Sequence, residues 1–491
     1  MNSIASPWYN KGSERTEVLG MTYGKLAVAL GLCLALGQTA LAADHLAVVE
    51  KSGKQGAIDT AGKEILPLQY KKVVLGDPKE EPVILVQEKG KYGLTDRNGK
   101  VLLAPTLKKV TDGGEGYLGG QAGRTWSFYN LKGEKLPGDY EAVQAFSEGL
   151  APVKLNGKWG YADATGKVVI QPQYKEVRRF SEGLAAVKNG SQWFYISKDG
   201  TVLPSVSAKK AGDFHQGVAV VDGGWLMDKT GKRYAKLKKY SYVGDFQDNG
   251  LAEVGVRRAS HSLLDYISIG WGWGDGWGWG GPYWGVGPGW GPYWGDVDYG
   301  YHHHHHHGWG WGGGISVSPA MAMPSNLYRG YVNKKGQEVV PPNYSFVSPF
   351  YGKYALFRDD GHWGMLDEKG QIVIPAAYDA LLPFSEGLAP FASDKKWGFI
   401  DASNQVVIAN RFDSVQAFLE ERTTATEKGT GGVIDKAGNA VAPFREELQQ
   451  LGPLTADRAA FKDSSTKKWG YIDENAKIVI PAQYDKAGMF D

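Results

Sequence analysis

Short runs of apolar residues alternate with polar turns along most of this chain. In the clearest stretch, the segments 149–154, 157–163 and 166–174 each have the length and composition of a β-strand. Val168, Val169 and Ile170 suit a half-buried strand, and Pro172 ends it because proline cannot donate to a sheet ladder. The turn 163–166 begins with Asp and ends with Gly, as tight hairpin turns do. The pattern predicts three short strands and an all-β fold.

This pattern repeats at a nearly fixed interval. The motif Lys158-Trp159-Gly160 returns at Lys396 and Lys468, and weaker copies lie between them. The closing polar residue of each copy marks eleven units, many of them 33 or 34 residues apart: Asp59, Asp96, Asn130, Asp163, Ser197, Asp228, Asn333, Asp367, Asp401, Asp435 and Asp473. A fixed period of this kind predicts one small unit stacked on copies of itself.

The recurring Trp and Gly both have a structural interpretation. We expect one Trp ring per unit to fill the gap between adjacent units, and the following Gly to let a neighbouring backbone come close. If Trp159 is buried, its replacement by Ala should cost about 3–5 kcal/mol. The predicted structural Trp residues are Trp126, Trp159, Trp193, Trp225, Trp363, Trp397 and Trp469.

The motifs resemble those of the WG-repeat family, also called KWG repeats. The similarity rests on Lys-Trp-Gly-aromatic-Ile-Asp, on Val-Ile-Pro-x-x-Tyr, and on Phe-Ser-Glu-Gly-Leu-Ala, found at 384–389. It covers nearly all of 45–491 apart from one insertion. The resemblance implies an all-β repeat array and, by analogy, a binding role, and it supplies no catalytic residues.

The repeat length bears on how the units are arranged. Residues 46–49 stand at a first-strand position and Phe490-Asp491 precede another, so the array holds a whole number of units. A solenoid-like array and a propeller-like ring both fit. Because four-stranded blades usually take about 40–45 residues, we favour an open or curved array of three-stranded units.

The first 42 residues have the features of a signal peptide. Basic residues precede an apolar run at 26–36, and Ala40-Leu41-Ala42 offers small residues for cleavage. Met1 or Met21 is the start, and an uncleaved anchor is the alternative. Cys33, the single cysteine, lies in this segment, so the mature chain would have no disulfide. We expect an exported protein, in the periplasm, on the cell surface or secreted.

One segment, 267–326, interrupts the repeats, which occupy 43–266 and 327–491. It is rich in Gly, Trp, Tyr and His, and we expect a disordered insertion inside one unit, between residues 251–254 and 329–333. It is either a low-complexity expansion or an adhesive loop whose aromatic rings contact a ligand. The candidate ligand-binding residues are Trp271, Trp273, Trp277, Trp279, Trp284, Trp290, Trp294, Trp309 and Trp311.

The insertion also contains six consecutive histidines. Neutral imidazole binds Zn, Cu or Ni, so the tract is a candidate metal site, although such a tract also binds metal fortuitously. The candidate ligands are His302, His303, His304, His305, His306 and His307. No other cofactor is expected.

Charge and motifs limit the remaining functions. The formal net charge is +2, so we expect no nucleic-acid partner, and a local cluster at Lys209, Lys210, Lys236, Lys238 and Lys239 has the composition of a solvated face. No catalytic constellation is evident, and the recurring Glu182 and Glu386 are expected to cap turns. The sequence predicts a non-enzymatic binding or scaffolding protein of the cell envelope with a protein or polysaccharide ligand. The alternative is an envelope metal-binding protein.

Overall fold

The computed structural model describes residues 45–203, 207–257 and 327–491. These residues form forty β-strands in eleven small antiparallel sheets. Each sheet is one blade of a β-propeller, and blades are numbered here in chain order. The all-β prediction is confirmed.

The first six blades precede the insertion. Their strands are β40 (Lys486–Phe490), β1 (Leu46–Lys51), β2 (Lys54–Asp59) and β3 (Glu64–Tyr70) in blade 1; β4 (Lys72–Leu75), β5 (Val83–Glu88), β6 (Lys91–Asp96) and β7 (Val101–Leu107) in blade 2; β8 (Lys109–Gly114), β9 (Tyr117–Ala122) and β10 (Thr125–Asn130) in blade 3; β11 (Ala142–Val143), β12 (Leu150–Leu155), β13 (Lys158–Asp163) and β14 (Val168–Tyr174) in blade 4; β15 (Glu176–Val177), β16 (Leu184–Asn189) and β17 (Gln192–Ser197) in blade 5; and β18 (Val218–Val221), β19 (Trp225–Asp228) and β20 (Arg233–Lys236) in blade 6.

The other five blades begin with the one that contains the insertion. Their strands are β21 (Tyr242–Phe246), β22 (Leu251–Arg257), β23 (Leu327–Asn333) and β24 (Glu338–Tyr344) in blade 7; β25 (Phe346–Val347), β26 (Tyr354–Asp359), β27 (His362–Asp367) and β28 (Ile372–Tyr378) in blade 8; β29 (Ala380–Leu381), β30 (Ala389–Ser393), β31 (Lys396–Ile400) and β32 (Val406–Phe412) in blade 9; β33 (Ser414–Val415), β34 (Arg422–Glu427) and β35 (Thr430–Asp435) in blade 10; and β36 (Leu448–Leu451), β37 (Arg458–Asp463), β38 (Trp469–Asp473) and β39 (Ile478–Tyr484) in blade 11.

The predicted turn between the third and fourth strands forms as expected. In blade 4 the Asp163 carboxylate accepts hydrogen bonds from the backbone N–H groups of Thr165, at 2.9 Å, and Lys167, at 3.1 Å. Gly166 has a φ of +81°, a conformation that disfavours other residues. The turn is therefore fixed by local chemistry alone.

The Gly that follows Trp is required by close packing, as predicted. A Cβ on Gly160 would lie 2.3 Å from the backbone oxygen of Ile170, on the fourth strand of the same blade. The pairing of β13 with β14 is irregular at this point, which brings the two backbones together. Any side chain here would displace the fourth strand.

Most blades contain one strand more than the sequence predicts. Seven of the eleven sheets have four strands, and in ten of the eleven a further strand precedes the long hairpin. In blade 5 this first strand is only Glu176–Val177, which pairs with Val187 and Lys188. Two residues are too few to produce a periodic pattern, and so the strand is not evident from sequence.

The array closes on itself, so our preference for an open array is wrong. Eleven separate clusters of buried residues lie between neighbouring blades, and an open row of eleven blades would have only ten such junctions. The eleventh cluster joins Tyr471 and Ile480 of blade 11 to Ala47 and Phe490 of blade 1. Closure pairs the last strand of the chain, β40, with the first, β1.

Candidate binding face

The loops of the ring fall on two opposite faces. The loops between first and second strands and between third and fourth strands lie at one end of each blade, which we term the clasp face. The hairpins between second and third strands, with the links to the next blade, lie at the other end, which we term the hairpin face. The two faces differ in chemistry.

The clasp face holds adjacent blades together with a repeated pair of side chains. The Ser181 hydroxyl donates to the backbone oxygen of Phe214 in the next blade, at 2.6 Å, and the Glu182 carboxylate accepts from the backbone N–H of Gly217, at 2.9 Å. The same contacts recur at Ser147 and Glu148, one blade earlier. The recurring Glu residues therefore cap turns, as predicted, but each caps the turn of the neighbouring blade.

A lysine from the next blade completes this contact. Lys229 Nζ lies 3.0 Å from Glu182, and Lys436 lies 3.3 Å from Glu386 at an equivalent junction. Burial alone would raise the pKa of Glu182, but the hydrogen bonds from Lys229 and the Gly217 N–H outweigh it and hold the pKa below its ordinary value. These carboxylates are ionised structural groups.

The aromatic residue after the Gly, rather than the Trp, fills each junction. Tyr161 is fully buried, packs on Phe180 of the next blade at a ring-centroid distance of 4.9 Å, and donates its hydroxyl to the Arg178 backbone oxygen at 2.7 Å. Burial raises the pKa of the Tyr161 phenol well above its usual value. The sequence carried a signal for this role, since an aromatic residue recurs at this position.

The predicted structural Trp residues lie nearer the hairpin face and are mostly half-buried. Only Trp397 and Trp469 are buried, at 7% and 5% exposure. The others pack against the edges of the junctions, and basic side chains lie over several of them. Lys154 Nζ is 6.0 Å from the Trp159 ring centroid, and Lys188 Nζ is 5.5 Å from that of Trp193. Full burial was overestimated for most of these rings.

Basic residues are concentrated on one sector of the hairpin face. We define the basic arc as the hairpin ends of blades 2–6 together with the link that precedes each of these blades, which contain thirteen basic and four acidic residues. The basic members are Lys71, Lys72, Lys89, Lys91, Lys108, Lys109, Arg124, Lys154, Lys158, Lys175, Lys188, Lys209 and Lys210, and the acidic members are Glu88, Glu141, Glu176 and Asp222.

This charge is local to that sector and that face. The corresponding positions of blades 8–11 contain seven basic and nine acidic residues. The clasp-face loops of blades 2–6 mix the two signs, with Lys100, Lys132 and Lys167 close in sequence to Asp96, Glu134 and Asp163. Lys209 and Lys210, part of a small cluster in the sequence, thus belong to a much longer surface. Only the closed ring reveals it, because its members are far apart in the chain.

Tight turns place the hairpins of the arc at a similar height. In blade 4 the two-residue turn Asn156-Gly157 joins Leu155 to Lys158, with φ values of +50° and +74°. Blade 2 has the same arrangement at Lys89-Gly90, with +48° and +76°. Blades 3 and 5 also have two-residue turns, whereas blade 6 has a three-residue turn, Asp222-Gly223-Gly224.

Blade 7 departs from the others where the insertion leaves the ring. Arg329 occupies the place of the Trp, since it pairs with Tyr344 as Trp159 pairs with Tyr174. Arg329 is 8% exposed and forms an ion pair with Glu253. A cleft of about 250 Å³ lies beside this pair, lined by Ser241, Tyr242, Arg257, Leu327 and Arg329. A buried ion pair here replaces a favourable aromatic contact, so the blade is chemically distinct.

The insertion itself starts from the hairpin face. Arg257 of β22 pairs with Leu327 of β23, so the segment between them joins the second and third strands of one blade, as predicted. The candidate residues Trp271 to Trp311 and His302 to His307 lie outside the described residues, as does the predicted signal peptide.

Within the described ranges, no three His, Cys, Asp or Glu side chains lie close enough together to hold a metal ion. In the same ranges, no helix has the length and apolarity that a membrane crossing needs.

Comparison with known families agrees with the repeat pattern. The model of the WG containing repeat matches residues 56–92, 126–159, 159–193, 330–362, 363–397, 397–425 and 469–491. This chain is a WG-repeat protein. Several matches run from one Trp to the next, so each spans a junction between blades and includes the buried aromatic contact. The repeat that the sequence displays is therefore the junction, and the blade is built across two copies.

Solved structures with similar folds are remote in sequence. A eukaryotic initiation factor is similar over 90% of this chain and 98% of that chain, with 8% identity and a TM-score of 0.41. The extracellular domain of a hybrid two component system from B. thetaiotaomicron covers 90% and 63%, with 11% identity and a TM-score of 0.19. PorZ, a surface component of the type-IX secretion system of Porphyromonas gingivalis, covers 87% and 64%, with 9% identity and a TM-score of 0.22. No curated protein matches the chain.

Proposed function

We propose that this WG-repeat propeller is an exported, non-enzymatic protein whose hairpin face provides a binding or scaffolding surface in the cell envelope. The observation that carries the proposal is the contrast between the faces. The repeated polar groups of the clasp face are used in contacts between blades, whereas the hairpin face presents the basic arc, half-buried Trp rings and the root of the insertion. The signal-like segment 1–42 supports export.

The ligand of this surface is a protein or an envelope polysaccharide. The insertion contains nine Trp residues and joins two strands at the hairpin face, and aromatic residues in such number favour a ligand that covers them. The recurring Glu182 and Glu386 are engaged in the clasp, which argues against an acid–base role. We propose that the chain has no enzymatic activity.

Chemical cross-linking in intact producing cells tests the proposal. Full-length protein is expected to cross-link to discrete proteins, or to sediment with cell-wall material, and a variant lacking residues 270–314 is expected to fold but lose part of this association. The control variant keeps the insertion and carries Lys132→Glu on the clasp face, and it is expected to associate like the unmodified protein. Full-length protein that remains in the cytoplasm, or that associates with nothing in the envelope, would contradict the proposal.

A second proposal is metal capture or buffering by the tract from His302 to His307. Six adjacent imidazoles can bind Zn, Cu or Ni. Protein purified without a metal column should then contain bound metal, measured by elemental analysis, and lose it when the six histidines are replaced by Asn. Metal-free protein from metal-replete cells would contradict this second proposal.

A further inference from the structure

We infer that the basic arc binds an acidic polysaccharide, laid along the hairpin face from blade 2 to blade 6. This inference rests on the proposed binding function and specifies the chemistry of one ligand. It does not involve the insertion, whose residues lie outside the described part of the chain.

The charge of the arc is large enough to select a polyanion. Thirteen basic against four acidic residues give this surface a net charge of +9, in a chain whose total is only +2. Many of the basic side chains, including Lys108, Lys109, Lys209 and Lys210, are exposed. Such a concentration of one sign attracts ligands of the opposite sign and raises the rate of encounter.

The arrangement of these charges is repetitive. Links between blades contribute adjacent pairs, such as Lys71-Lys72 and Lys108-Lys109, and the hairpin ends contribute Lys158 or Arg124 between them. Every blade from 2 to 6 contributes at least one basic residue through its hairpin end or its preceding link, so basic groups recur around this sector. A linear polymer with a regularly repeated negative group can contact several of them at once, which gives avidity without a deep pocket.

Aromatic rings accompany the charges on consecutive blades. Trp126, Trp159, Trp193 and Trp225 come from blades 3, 4, 5 and 6, each beside the hairpin turn, and all four are half-buried. Lys236 Nζ lies 5.1 Å from the Trp225 ring centroid. The rings hold neighbouring cationic groups in place and present part of their apolar surface, which suits a sugar polymer that has apolar ring faces as well as carboxylates.

The limited extent of the arc favours a polymer over a planar anionic surface. In blades 8–11 the same positions carry more acidic than basic residues, among them Asp359, Asp360 and Asp394. Docking the whole face on an anionic membrane would bring these carboxylates against like charges. A chain that follows the arc avoids them. For an exported protein, an acidic polysaccharide is a more accessible polymer than a nucleic acid.

A direct binding experiment tests the inference with purified polygalacturonate as the probe. The arc variant carries Lys108→Glu, Lys109→Glu, Lys209→Glu and Lys210→Glu. We expect wild-type protein to bind, with affinity falling at least about tenfold between 50 and 200 mM salt, and the arc variant to bind at least about a hundredfold more weakly.

The matched control makes the same change of charge on the clasp face. It carries Lys132→Glu, Lys167→Glu, Lys232→Glu and Lys335→Glu, all at exposed positions, and is expected to retain most of the wild-type affinity. Equal loss in both variants would overturn the inference, since only net charge would then matter. Circular dichroism and thermal unfolding check that both variants fold; if the arc variant does not, Lys→Gln changes at the same four positions replace it.

Three further probes decide the chemical class of the ligand. Methyl-esterified polygalacturonate keeps the rings but loses the charge, and it should not bind. Tighter binding to single-stranded DNA, or to vesicles containing phosphatidylglycerol, than to polygalacturonate would overturn the assignment to an acidic polysaccharide. If cells yield cross-linked protein partners while polygalacturonate does not bind, this inference fails and the proposed function stands.

Discussion

Blades 5 and 1 make the same backbone contact between their first and second strands with different connectivity. In blade 5 the N–H of Ser181 donates to the Leu184 backbone oxygen at 2.9 Å, within one continuous loop. In blade 1 the N–H of Asp491 donates to the Leu46 backbone oxygen at 3.1 Å, although these residues lie at opposite ends of the described chain. The same hydrogen bond therefore forms in blade 1, where no loop joins the first and second strands. Packing between blades, and not the loop, specifies the ring.

The end of the chain nevertheless makes a different ion pair with the neighbouring blade. Between blades 4 and 5, Lys198 lies 3.1 Å from Glu148, and the lysine side chain is 46% exposed. Between blades 1 and 2, Arg97 binds both carboxylate oxygens of Asp491, at 2.6 and 2.8 Å, with the arginine side chain only 10% exposed. A buried, two-pronged contact is stronger and more exact in geometry than an exposed one, so it compensates in part for the absent covalent link.

The largest effect should come from deleting residues 486–491. The deletion removes β40, the buried ring of Phe490 and the Arg97 contact, and we expect a loss of more than about 5 kcal/mol of folding stability. Urea unfolding would show a lower midpoint, and small-angle X-ray scattering would show a larger radius if the ring opens.

A circular permutant is the matched control for this deletion. A short linker joins Asp491 to His45, whose side chain contacts the Asp491 backbone oxygen, and new ends open the hairpin at Asn156-Gly157. This permutant should fold with stability near that of the wild type. A truncated protein with an unchanged midpoint would show that the last strand does not close the ring.

The second-largest expected effect on stability distinguishes the Trp of the repeat from the aromatic residue that follows its Gly. Replacing buried Tyr161 with Ala should cost about 3–5 kcal/mol, and so should Tyr471→Ala, whose ring packs on Phe490 at the closing junction. Because Trp159 is only half-buried, we now expect Trp159→Ala to cost less, about 1–2 kcal/mol. Urea midpoints of the three variants test the order, and a larger loss for Trp159 would reverse the assignment of the junction core.

The sequence is informative where the cause of a feature is local. Asp163 caps its own turn and Gly160 is needed within its own blade, so both could be predicted from one copy of the repeat. The burial of Trp159 depends on the next blade, and the strand Glu176–Val177 is too short for periodicity to reveal. The contact between Arg97 and Asp491 joins residues that are 394 positions apart in the chain, and no local sequence pattern contains it.

The candidate site, too, could be predicted only where its cause is local in the sequence. The insertion could be placed between two strands because its flanks are ordinary repeat segments, and the pairing of Arg257 with Leu327 confirms that placement. The basic arc could not be found, since Lys108 and Lys209 become part of one surface only when the blades are arranged around the ring. Charges that are dispersed in the chain have no signature in a window of sequence.

The smallest effect concerns the Glu of the clasp, which accepts from the backbone of the next blade at four junctions, as Glu115, Glu148, Glu182 and Glu386. The pKa of Glu182 is held below its ordinary value of 4.5 in the folded state. The folded state therefore binds fewer protons than the unfolded state in this range. The stabilisation by the clasp is complete above about pH 5 and declines as the pH falls through the folded-state pKa.

Replacing Glu182 with Gln should therefore flatten the dependence of stability on pH between about 5 and 3, by less than about 1 kcal/mol, because the side chain is partly exposed. Urea midpoints at several pH values measure this, with Glu446→Gln, at an exposed position outside the clasp, as the control. If the two variants show the same pH profile, then the Glu182 contacts contribute nothing specific at low pH. A flatter profile for Glu182→Gln alone would show that the clasp contact of Glu182 weakens in acid.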